Sequence, residues 1–276
     1  MAEHGIFITG SSTGLGKATA KLFAAKGWRV LATMRQPERE TELGSIPGVT
    51  LLALDVTQPA QIRAVARRAI ELSPVDVVFN NAGYGLAGPL EGTTAAQIVR
   101  EVDTNLLGVI RTTQAFIPYF RERKAGLFIT TTSIGGHAAF PFNSVYHATK
   151  WALEGWSESM AFELSKFGIG IKTVAPGGIK TDFQTRSLVM AQHPAYDALV
   201  AKALAFYRSP ERAKGYSTAE QIAEVVYEAA TDGKTQLRYL AGEDAKALYA
   251  QRKAVGDEAM RAGIDKLFFG QEPPVG

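Results

Sequence analysis

Three side chains in the middle of this 276-residue chain have the types and spacing needed to move a proton. Tyr146 and Lys150 stand four apart in the run Ser144-Val145-Tyr146-His147-Ala148-Thr149-Lys150, and residues four apart share one face of a helix. A phenol ionises near 10, too high for ready proton exchange at neutral pH. An ammonium beside it favours the phenolate, and bringing the value to about 7 takes roughly 4 kcal/mol of preferential stabilisation. Ser133 lies upstream at the end of an apolar run, where its hydroxyl would hold a substrate oxygen beside the phenol. A Tyr and a Lys at this spacing are often only a coincidence of a helix surface, so the reading depends on what surrounds them.

Such groups act only if something carries them to one place. Short apolar runs predict strands over residues 6–9, 29–34, 49–55, 75–79, 126–132, 170–175 and 237–240, the pattern of strands covered on both faces. Helical periodicity fills the gaps at 15–26, 60–72, 95–123, 144–167 and 219–231, with Ser144 as the cap of the Tyr146 helix. Strand-helix alternation implies parallel pairing through right-handed crossovers. The fold class is therefore α/β: a doubly wound, parallel, seven-stranded sheet of the Rossmann type with helices on both faces. With no repeat or linker, residues 1–276 read as a single domain. Residues 183–216 interrupt the rhythm, are helix-prone and rich in large apolar side chains, and read as a lid. A helical extension at 243–265 follows the last strand. Ser133 falls at the carboxyl edge of the sheet, where ligands bind in such folds.

The first strand runs into Thr9-Gly10-Ser11-Ser12-Thr13-Gly14-Leu15-Gly16 and a helix follows. Gly10 permits a sharp turn, Gly14 a close approach of backbone to a pyrophosphate, and Gly16 tight packing of helix on strand. The helix start then offers free N–H groups and a partial positive charge to an anion. No Gly-Lys-Ser/Thr follows at the spacing of a nucleoside-triphosphate loop. The second strand ends Ala32-Thr33-Met34-Arg35. Met34 occupies the place of the acid that would hold a ribose 2′-hydroxyl, and Arg35 can clamp a 2′-phosphate. Ser11 and Ser12 add hydroxyl donors. The cofactor expected is NADP(H), with NAD(H) as the alternative because Glu38 and Glu40 lie nearby.

Composition narrows the classes further. Net charge is +3, and the basic residues are not in runs, which argues against nucleic acid. There are no cysteines, so disulfides, thiolate nucleophiles and Cys-bound zinc are excluded, and the four histidines show no metal spacing. No apolar run approaches a membrane span. The acidic start, Met1-Ala2-Glu3-His4, does not resemble a secretion signal, so the expected location is cytoplasmic.

Taken together, the Thr9–Gly16 turn, Asp55-Val56, Asn80-Asn81-Ala82-Gly83, Asn105, Ser133, Tyr146 with Lys150, and Pro176-Gly177-Gly178 with Thr181 make the chain resemble a single-domain short-chain dehydrogenase/reductase. The resemblance covers about residues 5–183 and is nearest to members acting on retinoids, hydroxysteroids or other bulky apolar carbonyls. It implies an NADP-dependent carbonyl reductase or alcohol dehydrogenase, with Tyr146 as general acid and base and Ser133 orienting the carbonyl. It further implies that Lys150 holds the nicotinamide ribose and lowers the Tyr146 pKa, and that Asn105 holds a water that relays protons from Lys150. Asp55 and Val56 would contact adenine, Asn81, Ala82 and Gly83 the ribose, and Pro176, Gly177, Ile179 and Thr181 the carboxamide end. Tyr84, Gly135, Phe140, Phe142 and Phe183 are the candidate substrate wall, with His137 possible at its mouth. Leu188, Met190, Tyr196, Phe206 and Tyr207 would form the lid. His147 points away from Tyr146 on a helix and reads as a packing residue. The expected partners are a small-molecule carbonyl or alcohol and a second copy of the chain, as a dimer or tetramer. Two other readings stay open: a non-catalytic NADP(H) sensor and a reductase of acyl thioesters.

Overall fold

A computed structural model describes residues 4–180 and 188–270. The eleven strands are β1 (Gly5–Thr9), β2 (Arg29–Met34), β3 (Val49–Ala53), β4 (Val77–Asn80), β5 (Gly85–Ala87), β6 (Gly126–Thr131), β7 (Ile169–Pro176), β8 (Ile179–Lys180), β9 (Leu188–Met190), β10 (Ser217–Thr218) and β11 (Arg238–Ala241). Seven of them form one parallel sheet in the order β11-β7-β6-β4-β1-β2-β3. The order reverses at β1, which is the switch point where such sheets open a crevice at their carboxyl edge.

Side-chain alternation along these strands builds two separate cores. Ile6 and Ile8 of β1, Val77 and Phe79 of β4 and Ile129 of β6 pack on one face with Phe23 of α1 (Gly14–Ala25). Phe7, Val78 and Phe128, one residue out of phase, pack on the other face with Ile62 of α2 (Pro59–Leu72). Each fully buried side chain of this size contributes about 1.5–3 kcal/mol relative to exposure. A strand that is apolar at every position is therefore stable only between two helical layers. The other helices of the sheet are α3 (Ala95–Val102), α4 (Gly108–Arg123), α5 (Ser144–Leu164) and, after the insertion, α8 (Ala219–Thr231). Thr94 and Thr218 start α3 and α8 with reciprocal capping boxes to Gln97 and Gln221.

Four expectations are corrected. The helix read over 95–123 is interrupted by a π turn at Asp103–Leu107, where an extra residue per turn turns the Asn105 amide towards the backbone of Tyr84. The C-terminal extension is two helices, α9 (Glu243–Val255) and α10 (Asp257–Phe269), split by Gly256 at φ +81°. Asn143, not Ser144, occupies the N-cap of α5, and its amide instead donates to the Pro141 carbonyl and the Tyr207 hydroxyl. The insertion is helical only in part: β9 pairs with β5, and α6 (Asp197–Tyr207) and α7 (Pro210–Lys214) follow.

Candidate active site

The carboxyl ends of β1, β4 and β6 are tied by one side chain. Asn81 donates its N–H to Thr9 Oγ1 (2.9 Å) and its amide to the carbonyls of Thr9 and Gly10 (both 3.1 Å). Its Oδ1 accepts from Thr131 Oγ1 at 3.3 Å. Against this brace the chain turns at Gly10, at φ +71°, with a position for Cβ only 2.7 Å from Ala82 Cα. A Cβ on Gly16 would lie 2.3 Å from the Gly10 carbonyl oxygen. The Thr13 side chain does not cap α1, so the first-turn N–H groups face outward.

A cleft of about 1110 Å³ runs along this edge. Of the residues predicted for a cofactor, Gly10, Ser12, Thr13, Gly14, Leu15, Arg35, Asp55, Val56, Asn81, Ala82, Gly83, Pro176, Gly177 and Ile179 line it, as do Ser133, Tyr146 and Lys150. Ser11 does not: it is fully buried, with its N–H donated to the Thr33 carbonyl and its hydroxyl to the Ile8 carbonyl. Gly16 packs behind the turn. Thr181 and Phe183 lie outside the described residues.

The substrate wall is corrected more deeply. Tyr84 lines the cleft, but Gly135, Phe140 and Phe142 do not. Gly135 packs against the His147 ring, and α10 brings Phe268 against Phe140 and Phe269 against Phe142. Phe206 and Tyr207 of α6 join the same aromatic cluster, beneath the Arg212 guanidinium. From the insertion, Val189 and Tyr216 reach the cleft. His137 is turned away from the mouth, with Nε2 3.3 Å from Glu154 and its ring edge-on to Tyr249. His147 fastens the loop between Ser133 and α5. Its Nε2 accepts from Phe140 N–H, so Nδ1 carries the proton and faces the Gly135 carbonyl at 2.7 Å. Burial keeps it below the usual histidine value and neutral.

Tyr146, Ser133 and Lys150 converge on the cleft floor. Burial pushes the Tyr146 phenol up to about 12; a hydrogen bond with Ser133 opposes this and the Glu101 charge adds to it. Burial and not the lysine expected from the sequence sets the direction of this shift. Lys150 Nζ lies 5.7 Å from the phenol ring centre and donates to the Thr131 carbonyl at 2.8 Å. Burial also pulls Lys150 down to about 8, against the charges of Glu101 and Glu154. Asn105 sits behind the wall, with one amide hydrogen on the Tyr84 carbonyl (2.8 Å), the other on Glu101 (3.0 Å) and its Oδ1 on Tyr84 N–H (3.0 Å). Sequence reasoning missed Glu101, which is fully buried although the other residues of its short helix are exposed or half-buried. It also missed Asp244, whose carboxylate accepts from Gly178 N–H at 2.7 Å and fixes the turn after β7.

Comparison with known proteins agrees with this arrangement. The family described as short chain dehydrogenase matches residues 4–191. An uncharacterised oxidoreductase of Schizosaccharomyces pombe is 34% identical over 230 residues, covering 83% of this chain and 97% of that protein. Human (Homo sapiens) retinol dehydrogenase 8 is 36% identical over 208 residues, covering 71% of this chain and 66% of its own length. The solved structure of ElxO with NADP bound superposes with a TM-score of 0.74 at 25% identity, covering 90% of this chain and all (100%) of that one. With the glycine turn, the Ser133–Tyr146–Lys150 group and the seven-stranded sheet in one molecule, the chain belongs to the short-chain dehydrogenase family of oxidoreductases.

Proposed function

We propose that the protein uses NADP(H) to move a hydride between the nicotinamide and an apolar ketone, aldehyde or secondary alcohol, with Tyr146 as general acid and base. The observation that carries this reading is that Ser133, Tyr146 and Lys150 line the same cleft as the Gly10–Leu15 turn. Hydride donor and proton donor then meet one carbonyl. The uncapped start of α1 and the glycine cradle suit a pyrophosphate, and a bound nicotinamide supplies or accepts the hydride. The chain's own residues handle the oxygen. Ser133 and Tyr146 hydrogen-bond it, and Tyr146 gives up its proton as negative charge develops. A phenol held near 12 stays protonated at neutral pH, which is the form that gives up a proton in carbonyl reduction. Lys150, on the same helix face, would hold the ribose and favour the phenolate in the reverse direction.

For the cofactor, Arg35 supports NADP(H) because it lines the cleft immediately after Met34, with no carboxylate at that strand end. Glu40, one of the two acids that left NAD(H) open with Glu38, is committed elsewhere: it binds Lys17 Nζ (3.0 Å) and accepts from the N–H groups of Glu42 (2.9 Å) and Leu43 (3.0 Å). The NADP-bound relative points the same way. For the substrate, Tyr84, Ala96, Val99 and Val189 give the outer cleft an apolar wall, and the similarity to a retinol dehydrogenase agrees with it. For the lid expected at residues 183–216, Val189 and Tyr216 support the reading by lining the cleft, whereas Phe206 and Tyr207 pack on Phe268 instead. A homo-oligomer is supported by Phe162, 71% exposed on α5. Among the described residues no helix is long and apolar enough to cross a membrane. The test is NADPH oxidation against a panel of apolar aldehydes and ketones. Turnover lost in Tyr146→Phe is the expected result; tight NADPH binding without any turnover would overturn it in favour of a sensor.

A further inference from the structure

The reading above leaves the buried carboxylate of Glu101 without a task. Among the residues of α3 only one is buried, and it is a carboxylate: Glu101, with 0% of its surface exposed. Ionised groups are rarely held out of water unless a partner fixes them. Glu101 Oε1 accepts from Asn105 Nδ2 at 3.0 Å, and Oε2 is buried without a hydrogen-bond partner. The Tyr84 hydroxyl and the Leu86 amide face the carboxylate without closing on Oε2 in ordinary hydrogen-bond geometry.

The charges around it are few. Among the described residues of the neighbouring elements, the ionisable groups that face Glu101 are Tyr84, ahead of β5, and Tyr146 and Lys150 on α5. Arg100, on its own helix, lies over the outer face of the Tyr84 ring at 5.6 Å, and Asp103 is paired with Arg111. The second acid near Lys150, Glu154, is engaged by Arg238 (3.0 Å) and Thr173 (3.3 Å). The cation that Glu101 answers is therefore Lys150.

We propose, on the basis of the oxidoreductase reading above, that Glu101 is a positioning residue for proton transfer: its buried carboxylate locks the Asn105 amide against the Tyr84 wall and holds Lys150 cationic beside Tyr146. Burial lifts the carboxyl to about 7, so the anion forms near neutral pH. Once formed it favours the Lys150 ammonium and disfavours the Tyr146 phenolate. Lys150 and Tyr146 each keep their own proton towards higher pH when Glu101 is ionised.

Glu101→Gln removes the anion and keeps the shape. Lys150 loses a charge that holds it up, and Tyr146 loses a charge that pushes it up, so both groups release their protons at lower pH. The alkaline limb of kcat for carbonyl reduction with NADPH moves down by about one pH unit, which leaves kcat about tenfold lower above the limb, while KM and Tm change little. Glu101→Asp, which retains the charge, restores the limb to within a fraction of a unit of wild type. A second readout needs no turnover: the phenolate absorbance of Tyr146, isolated by difference from Tyr146→Phe, develops at lower pH in Glu101→Gln than in wild type. An unshifted limb together with an unshifted phenolate titration overturns the proposal, as does a shift that Glu101→Asp shares in full. Absence of NADPH turnover with the titration shift intact sinks the oxidoreductase reading and supports the Glu101 coupling.

Discussion

Gly16→Ala measures how tightly the phosphate turn is built. The added Cβ would lie 2.3 Å from the Gly10 carbonyl oxygen and 2.5 Å from Asn81 Nδ2. Both neighbours are backbone-bound or hydrogen-bonded: Gly10 O accepts from Asn81, which also braces Thr9 and Thr131. Relief to an ordinary contact takes a shift of about 1 Å, and overpacking of this kind costs typically 1–3 kcal/mol. The shift must come either from α1 moving off the sheet or from the turn giving way. Either movement displaces the N–H groups that would hold the pyrophosphate, so NADPH affinity falls about tenfold or more along with Tm. Gly263→Ala, in the middle of α10 with no atom within 4 Å of the new Cβ, is the control and should raise stability by roughly 0.5–1 kcal/mol. Thermal unfolding with and without NADPH, and titration of NADPH fluorescence, read both quantities. A Gly16→Ala protein with wild-type Tm and wild-type NADPH affinity would refute the close-packing argument and the role given to this turn.

Other perturbations separate the roles assigned to the cleft. Tyr146→Phe should lower kcat about 10²–10⁴-fold and leave the NADPH Kd within a few-fold of wild type; a near-normal kcat removes Tyr146 from the chemistry. Lys150→Ala should weaken NADPH binding as well as rate, and unchanged affinity would contradict the ribose contact. Arg35→Ala should reduce the ratio of kcat/KM for NADPH over NADH by about 10–150-fold, the worth of a charge-assisted contact of roughly 1.5–3 kcal/mol; an unchanged ratio assigns the 2′-phosphate elsewhere. Acid stability should depend on Asp232. Burial opposes its ionisation, but the Lys172 ammonium and the Tyr239 hydroxyl hold it down at about 2. A depressed carboxyl stabilises the fold at pH above its unfolded value and loses that contribution as pH falls through the folded one. Asp232→Asn should therefore lower Tm at pH 7 and flatten its decline between about pH 4 and pH 2, as followed by circular dichroism.

The sheet was legible because its determinants are local. Phe7 between Ile6 and Ile8, or Phe128 beside Ile129, shows an apolar side chain at every position, and only a doubly covered strand tolerates that. The glycine turn and the Tyr146–Lys150 pair were legible for the same reason, since spacing alone puts each on one turn or one helix face. What escaped depends on segments far apart in sequence. Phe140 and Phe142 follow a strand end as substrate-lining residues would, but α10 returns more than a hundred residues later and covers them with Phe268 and Phe269. Glu101 reads as a solvated charge in Arg100-Glu101-Val102, and only the π turn that aims Asn105 at it, with α5 crossing behind, makes it an interior group. The pKa of Tyr146 escaped too, because spacing reports the nearby lysine but not the depth of burial that raises the phenol.

Those same long-range contacts explain how two ends of the cleft stay in register. The Gly10 carbonyl accepts from Asn81 Nδ2, Asn81 Oδ1 accepts from the Thr131 hydroxyl, and the Thr131 carbonyl accepts from Lys150 Nζ. This path of side chain and backbone runs from the turn after β1, through the end of β4, to the end of β6 and on to α5. Parallel strands give it a straight course, because their carboxyl ends align where Ile8 faces Phe79 and Asn80 faces Thr130. Each bond contributes only about 0.5–1.5 kcal/mol to stability. Its larger effect is geometric: a group that would hold a pyrophosphate and a group that would hold the nicotinamide ribose are referred to one asparagine. Misplacement of reacting groups by about 1 Å can cost 10²-fold in rate, so this brace matters more for hydride geometry than its bond energies suggest.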